Sequence, residues 1–129
     1  MAADPRRARG ELGESVAARH LTQLGYEVLA RNYRTRHGEL DLVAADHDCI
    51  VFCEVKTRVA GGTAGPASGI DAIGQGKRRR LRRLAGQWLH AHPAGSGRPR
   101  RPRLRFDAIG VTLAPTGAVL SVEHVPDAF

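Results

Sequence analysis

The chain has 129 residues, of which 42% are hydrophobic, a length and composition that fit one folded domain and exclude a largely disordered chain. A formal net charge of +7 favours an anionic partner, with nucleic acid ahead of a membrane surface. The first residues have no apolar signal core and no apolar run reaches transmembrane length, so we expect a cytoplasmic protein without a membrane partner.

The N-terminal part of the chain predicts a helix followed by a strand. Residues 1–8 form a basic tail in this interpretation, and residues 9–129 form the domain. The helix spans residues 9–24, "RGELGESVAARHLTQL", and ends at Gly25. Its apolar stripe consists of Ala17, Leu21 and Leu24. The first strand, "YEVLARNYR", covers residues 26–34.

The stretch "GELDLVAADHDCIVFCEVKTR", residues 38–58, predicts a β-hairpin with a two-residue turn at 47–48. In that register the opposed charged residues are Asp41 with Glu54 and Glu39 with Lys56. These four side chains therefore meet at one end of one face, among apolar neighbours that make charge costly. The same face continues with Val43, Ile50 and Phe52, and the other face carries Leu40, Leu42, Val51, Cys53 and Val55. Apolar residues on both faces predict a central pair of strands.

The cysteines, Cys49 and Cys53, lie on one predicted strand and face the same side of the sheet. At the rise of a strand they are about 13 Å apart, which is too far for a disulfide. We therefore expect two buried, reduced thiols, as in an intracellular protein.

The second half of the chain predicts a helix and another hairpin. A flexible Gly-rich loop at 59–69 precedes the helix, whose start is marked by a capping box of Ser68 and Asp71. The inner face of this helix consists of Ile73, Leu81, Leu84 and Trp88. An Arg-rich linker, 93–103, leads to strands at 104–113 and 118–125. The order αβββαββ predicts an α/β fold, a mixed central sheet flanked by helices.

The charged cluster on the first hairpin has two interpretations. Asp41 and Glu54 could supply the oxygen ligands that Mg²⁺ prefers, and Lys56 could orient or deprotonate a water or hold a phosphate. Glu14 lies at the edge of the helical stripe and could add a third carboxylate, or could be a half-exposed helix residue. The alternative for the cluster is an ion pair of Glu39 with Lys56 beside a solvated Asp41.

Basic residues are concentrated on the second helix and on the linker. Because Leu81 and Leu84 face inward, most of the arginines at 78, 79, 82 and 83 face outward and could bind phosphates without reading sequence, or form a solvated face. The candidate contacts are Lys77, Arg78, Arg79, Arg82, Arg83, Arg100 and Arg101. Aromatic residues make up only 5% of the chain, which favours structured or duplex DNA over single-stranded RNA.

The motifs "GES", "GELDLVA", "VFCEVKTR" and "RFD", in this order over roughly residues 10–129, resemble the YraN-like family of uncharacterised bacterial proteins. That family is similar to the restriction-endonuclease-like, or PD-(D/E)xK, nucleases and to archaeal Holliday-junction resolvases. The resemblance implies an active-site set of Glu14, Asp41, Glu54 and Lys56, with the three acids as metal ligands. Lys77, Arg105 and Asp107 match further motif positions of the family without an assigned role, and Glu39, Arg105 and Asp107 are candidate accessory residues. Leu40 stands where the nuclease superfamily has proline.

These observations predict a nuclease that depends on Mg²⁺ or Mn²⁺ and hydrolyses phosphodiester bonds in branched or structured DNA. The alternative is a non-catalytic module with the same fold that binds nucleic acid or a protein partner. A basic protein peripheral to the ribosome or a membrane would leave the inward carboxylates unexplained. Either a monomer or a homodimer is compatible with the sequence.

Overall fold

The computed structural model describes residues 4–61, 75–93 and 98–129. These residues form two helices and five strands in the predicted order αβββαββ, which confirms the α/β fold. The elements are α1 (Pro5–Gln23), β1 (Glu27–Thr35), β2 (Gly38–Ala45), β3 (Cys49–Val59), α2 (Gln75–Ala91), β4 (Arg103–Leu113) and β5 (Val119–Val125). Neither described helix combines the length and the apolar character that crossing a membrane requires.

The strands form one mixed sheet in the order β1-β2-β3-β4-β5, with β3 and β4 parallel and the other neighbours antiparallel. The ladder between β2 and β3 runs from Leu42 opposite Cys53 to Ala45 opposite Ile50, which confirms the predicted register. The Asp46 side chain accepts hydrogen bonds from the backbone N–H groups of Asp48 and Cys49 and so closes the turn.

Each face of the sheet is covered by one helix. The core on the α1 side consists of Ala17, Leu21, Leu42, Ala44, Cys49, Val51, Cys53, Ile109, Val111 and Leu113. The core on the α2 side consists of Leu40, Val43, Ala45, Ile50, Phe52, Leu81, Leu84, Ala85, Trp88 and Phe106. Both cysteines are buried, free and on the same side of the sheet, as predicted, and that side is the one covered by α1.

One residue of the hairpin faces the side opposite to the predicted one. Strict alternation places Leu40 on the face of Leu42, but the structure places Leu40 with Val43 in the α2-side core. The prediction fails because the side-chain alternation of β2 breaks between Leu40 and Leu42, where the ladder to β3 also ends. The residue at the break is Asp41.

The first helix differs from the prediction at both ends. It begins at Pro5, four residues before the predicted start, because the Asp4 side chain caps it by accepting from the Arg6 N–H. Residues 5–8, assigned to the tail, are therefore helical. Leu24 is the C-cap and is 55% exposed, so it does not extend the buried stripe.

The inner face of the second helix is confirmed at Leu81, Leu84 and Trp88, which are at most 3% exposed. Ile73 and the capping box of Ser68 and Asp71 lie outside the described residues. So do most of the Gly-rich loop and part of the Arg-rich linker.

Candidate active site

Asp41 occupies a gap between the two central strands. Beyond Leu42 and Cys53 the ladder stops, and one carboxylate oxygen of Asp41 accepts a hydrogen bond of 2.8 Å from the backbone N–H of Val55. The side chain thus takes the place that a carbonyl of β2 would occupy in a regular sheet. This holds a charged group half-buried within the sheet.

The first helix brings a second carboxylate to the same place. Gly13 is buried against β3, and a Cβ atom at this position would overlap the hydroxyl of Thr57. Only glycine permits so close an approach without a shift of the helix or the strand. The next residue, Glu14, therefore lies over the gap. Ligand oxygens of Glu14, Glu39 and Asp41 all lie within 4.8 Å of one another; we call these three residues the acidic cluster.

Asn32 supports the acidic cluster from β1. The β1–β2 ladder passes from Arg31 opposite Leu42 to Tyr33 opposite Leu40, so Asn32 lies across from Asp41. Its φ of +53° is in the left-handed region, which asparagine tolerates better than most residues. Its side chain forms a hydrogen bond with Glu14. Backbone strain inside a strand is typical of a functional site.

The negative charges of the acidic cluster are poorly compensated. Burial and the negative charges of Glu54, Glu14 and Glu39 together raise the pKa of Asp41 to about 7, against the hydrogen bond from Val55. Burial also raises the pKa of Glu14, and the charge of Glu39 contributes. Carboxylates crowded in this way bind a proton or a cation readily.

The negative charge of Glu54, unlike that of the acidic cluster, is compensated by two lysines. Its side chain is 8% exposed, and its Oε1 atom forms ion pairs with the ammonium groups of Lys77 and, at 3.8 Å, Lys56. Sequence reasoning assigned Lys77 to nucleic-acid contact, whereas the structure places its ammonium group against Glu54. This contact joins α2 to β3, and no spacing along the sequence could indicate it.

The two lysines differ in their electrostatics. A hydrogen bond with Lys77 lowers the pKa of Lys56, and burial lowers it further. Burial alone would lower the pKa of Lys77, but the hydrogen bond and the charge of Glu54, with smaller contributions from Lys56 and Asp41, together outweigh burial and raise it. Lys77 is thus the permanent counter-charge of Glu54, and Lys56, with 43% of its side chain exposed, is the lysine that gives up its proton more easily.

Glu39 has a different partner from the one that the ion-pair interpretation assigned. It forms an ion pair of 3.1 Å with Arg34, which lies directly opposite on β1. Its neighbours Glu14 and Asp41 supply further hard oxygen atoms, which suit Mg²⁺ or Mn²⁺. Of the three predicted metal ligands, the structure brings Glu14 and Asp41 together with Glu39, while lysines occupy one oxygen of Glu54.

A cavity of about 210 Å³ adjoins the acidic cluster between α1 and β1. Its walls include Arg7, Glu11, Glu14, Asn32, Arg34 and Glu39. Of these residues, the sequence analysis named only Glu14 and Glu39 as site candidates. An asparagine inside a predicted strand was the available signal for Asn32.

Arg105 and Asp107 lie in a separate network beneath β5. Asp107 is fully buried and accepts two hydrogen bonds of 2.8 Å from Arg105. It also accepts 2.7 Å and 2.9 Å bonds from the His124 ring and the Asp127 N–H. His124 in turn contacts His20 of α1 at 3.0 Å. These bonds tie α1, β4 and the C-terminal segment together and give Asp107 a structural role.

The predicted basic contacts fall into two groups. Arg82 is exposed, but it stacks over Phe106 at 4.7 Å and donates to the backbone oxygen of Phe129, so its guanidinium group has partners within the chain. Arg78 is half-buried, whereas Arg79, Arg83, Arg100 and Arg101 are exposed. The exposed arginines are available to a large anionic ligand.

Fold and site together define a small α/β protein with a carboxylate–lysine centre at a break in its mixed sheet. Residues 13–111 match the model of the uncharacterised protein family UPF0102, and the chain belongs to this family. The UPF0102 protein of Kineococcus radiotolerans is 48% identical over 120 residues, covering 92% of this chain and 90% of that protein. That of Frankia alni is 45% identical over 129 residues and covers both chains completely. This match confirms the YraN-like family that the sequence motifs predicted, whereas its similarity to nucleases stays a prediction.

Proposed function

We propose that the chain is a nuclease that depends on Mg²⁺ or Mn²⁺ and hydrolyses phosphodiester bonds in branched or structured DNA. The observation that carries this proposal is the poorly compensated acidic cluster, whose Asp41 lies within electrostatic reach of Lys56 and Lys77. The carboxylates suit a divalent cation and the lysines suit a phosphate, and a phosphodiester with its cation combines both. Displaced pKa values at such a cluster support a functional rather than a structural role.

The residues divide the work as follows. Glu14, Glu39 and Asp41 would hold the cation, which when bound polarises a phosphoryl oxygen and neutralises developing charge. Lys56 accepts a proton from the attacking water, as its lowered pKa favours. Lys77 stays protonated and fixes Glu54, and through Glu54 the position of Lys56.

The choice of DNA rests on the basic surface. Arg79, Arg83, Arg100 and Arg101 are exposed, and the net charge of +7 attracts a phosphate backbone. Trp88 is 2% exposed and packs in the core, so it offers no base-stacking platform. Contacts with the backbone alone favour a substrate recognised by shape.

A cleavage assay on linear, flapped and four-way DNA, with Mg²⁺, Mn²⁺ or EDTA, tests the proposal. Wild type and Asp48→Asn, which removes an exposed carboxylate at the far turn, are expected to cleave at least one structured substrate. Asp41→Asn is expected to bind the same DNA without cleaving it. Binding without cleavage by wild type under every condition would leave the non-catalytic nucleic-acid-binding module as the function.

A further inference from the structure

The wall of the cavity beside the acidic cluster carries a positively charged side chain, Arg34, that has no role in the function proposed so far. The side chain of Arg34 is 70% exposed, and its guanidinium group pairs with Glu39. Glu39 is also one of the three carboxylates that converge within 4.8 Å. One carboxylate therefore faces two cationic partners, the arginine and the divalent ion of the proposed function.

These two partners compete for the same negative charge. A divalent cation attracts a carboxylate more strongly than an exposed guanidinium does, because an exposed ion pair contributes little. When the cation takes the charge of Glu39, Arg34 loses its counter-charge at the rim of the cavity. An uncompensated guanidinium group is a strong, bidentate ligand for phosphate.

We propose that the cavity binds the phosphate group that neighbours the cleaved phosphate in the nucleic-acid strand. Arg34 is the side chain that binds this neighbouring phosphate. Glu39 holds Arg34 in the metal-free protein and releases it when the cation binds. This inference rests on the proposed metal site. Binding of the cation and binding of the phosphate group are therefore coupled, because the cation releases Arg34 for the phosphate.

The surroundings of the cavity agree with this assignment. Arg7 brings a second guanidinium group from α1, paired at 3.4 Å with the exposed Glu11. Asn32 adds a neutral polar side chain between the arginine wall and Glu14. A volume of about 210 Å³ holds a phosphate group with part of its sugar but not a base pair. The site therefore suits one strand that leaves a duplex, as at a flap or a junction.

The test uses two binding measurements in a Lys56→Ala background, in which no cleavage is expected. The first is a calorimetric titration with Mn²⁺. The second is the fluorescence anisotropy of a labelled flapped DNA, with and without saturating Mn²⁺. Arg34→Ala is compared with Arg103→Ala, which breaks an ion pair with Asp48 that is somewhat more exposed and lies at the opposite end of the sheet. Both variants lose one positive charge.

Arg34→Ala is expected to move the two measurements in opposite directions. Mn²⁺ should bind about two- to fivefold more tightly, because Glu39 no longer has a competing cation. The gain in DNA affinity that Mn²⁺ produces should fall by at least about threefold, because the phosphate ligand is gone. Arg34→Lys retains the charge and the fold, so it should bind Mn²⁺ like wild type and recover only part of the gain.

If Arg34→Ala and Arg103→Ala behave alike in both titrations, Arg34 is only a cross-strand ion-pair partner and the inference is wrong. That result would leave the proposed nuclease untouched, provided that Mn²⁺ binds and cleavage is observed. If Mn²⁺ does not bind the wild-type site at all, the inference and the proposed metal-dependent function both fail.

Discussion

Two aspartates of the same sheet differ in how far the surrounding groups compensate the charge of their carboxylates. Asp107 is fully buried; burial alone would raise its pKa, but bonds from Arg105, Asp127 and His124 outweigh burial and lower it. Asp41 receives one backbone hydrogen bond and faces other carboxylates, so its pKa is raised to about 7. The first arrangement stabilises the fold, whereas the second leaves charge unbalanced, as a cation site requires.

Replacing each aspartate by asparagine tests directly whether the two carboxylates contribute differently to stability. Asp107→Asn removes the buried partner of the half-buried Arg105 and should lower the free energy of unfolding by about 3–5 kcal/mol at pH 7. Asp41→Asn removes like-charge repulsion and should leave that free energy unchanged or higher. Chemical denaturation of both variants measures the difference. Equal losses would mean that Asp41 is a structural residue like Asp107.

The second test concerns Lys56, whose pKa is lowered by its hydrogen bond with Lys77 and by burial. Lys56→Arg places a permanent cation where the proposed reaction needs a proton acceptor. Cleavage should fall by about 10²-fold or more, with DNA binding retained. Steady-state cleavage and anisotropy measure the two effects, and Arg19→Lys on the exposed face of α1 serves as a control. Equal cleavage by Lys56→Arg and wild type would remove Lys56 as the base.

The third test moves the helix that carries Glu14. Gly13→Ala places a methyl group on Thr57 and should cost about 1–3 kcal/mol of unfolding free energy through overpacking. Because the clash is relieved by a shift of α1 or of β3, and each shift moves Glu14 relative to Asp41, Mn²⁺ affinity should fall as well. The double variant Gly13→Ala/Thr57→Gly should recover part of both losses. Gly10→Ala, where a Cβ meets open space, is the matched control and should not weaken Mn²⁺ binding.

The two aspartates are also expected to make stability depend on pH in opposite directions. The raised pKa of Asp41 means that the folded state binds this proton more tightly, so its contribution to stability is lost as pH rises through about 7. For Asp107 the pKa is lowered, so its contribution is present at neutral pH and is lost as pH falls through its folded-state value. Protons also compete with Mn²⁺ at Asp41, and Mn²⁺ affinity should weaken about tenfold for each pH unit below 7. Calorimetry at pH 6, 7 and 8 measures this effect.

The smallest effect is expected on the basic face of α2. Arg79→Gln with Arg83→Gln should lower the slope of log affinity against log salt by about 0.9 for each lost phosphate contact. Arg82→Gln should leave the slope unchanged, because Arg82 is held by Phe106 and Phe129. Anisotropy titrations at several salt concentrations separate the two. An identical slope in all variants would make this face a solvated surface.

The sequence predicts the parts of this molecule that follow from local pattern. The order of elements, the register of the central hairpin and the inward-facing residues of α2 all follow from periodicity and turn chemistry. Glu14 and Asp41 are also brought together as expected. Local pattern does not indicate ion pairs between different elements. Lys77 of α2 pairs with Glu54 of β3, and Glu39 pairs with Arg34 rather than with Lys56. The left-handed Asn32 and the reversed Leu40 depend on a break in the sheet, which strict alternation excludes.

The distortion of β1 also bears on how the protein behaves at high concentration. β1 is an outer strand of the sheet, and an outer strand with regular pairing groups is a template for another chain. Here a register shift lies between Val28 and Ala30, and Asn32 turns the backbone out of the extended conformation two residues later. A straight incoming strand would meet these irregularities within a few residues. The strain that supports the acidic cluster thus also protects this edge against aggregation.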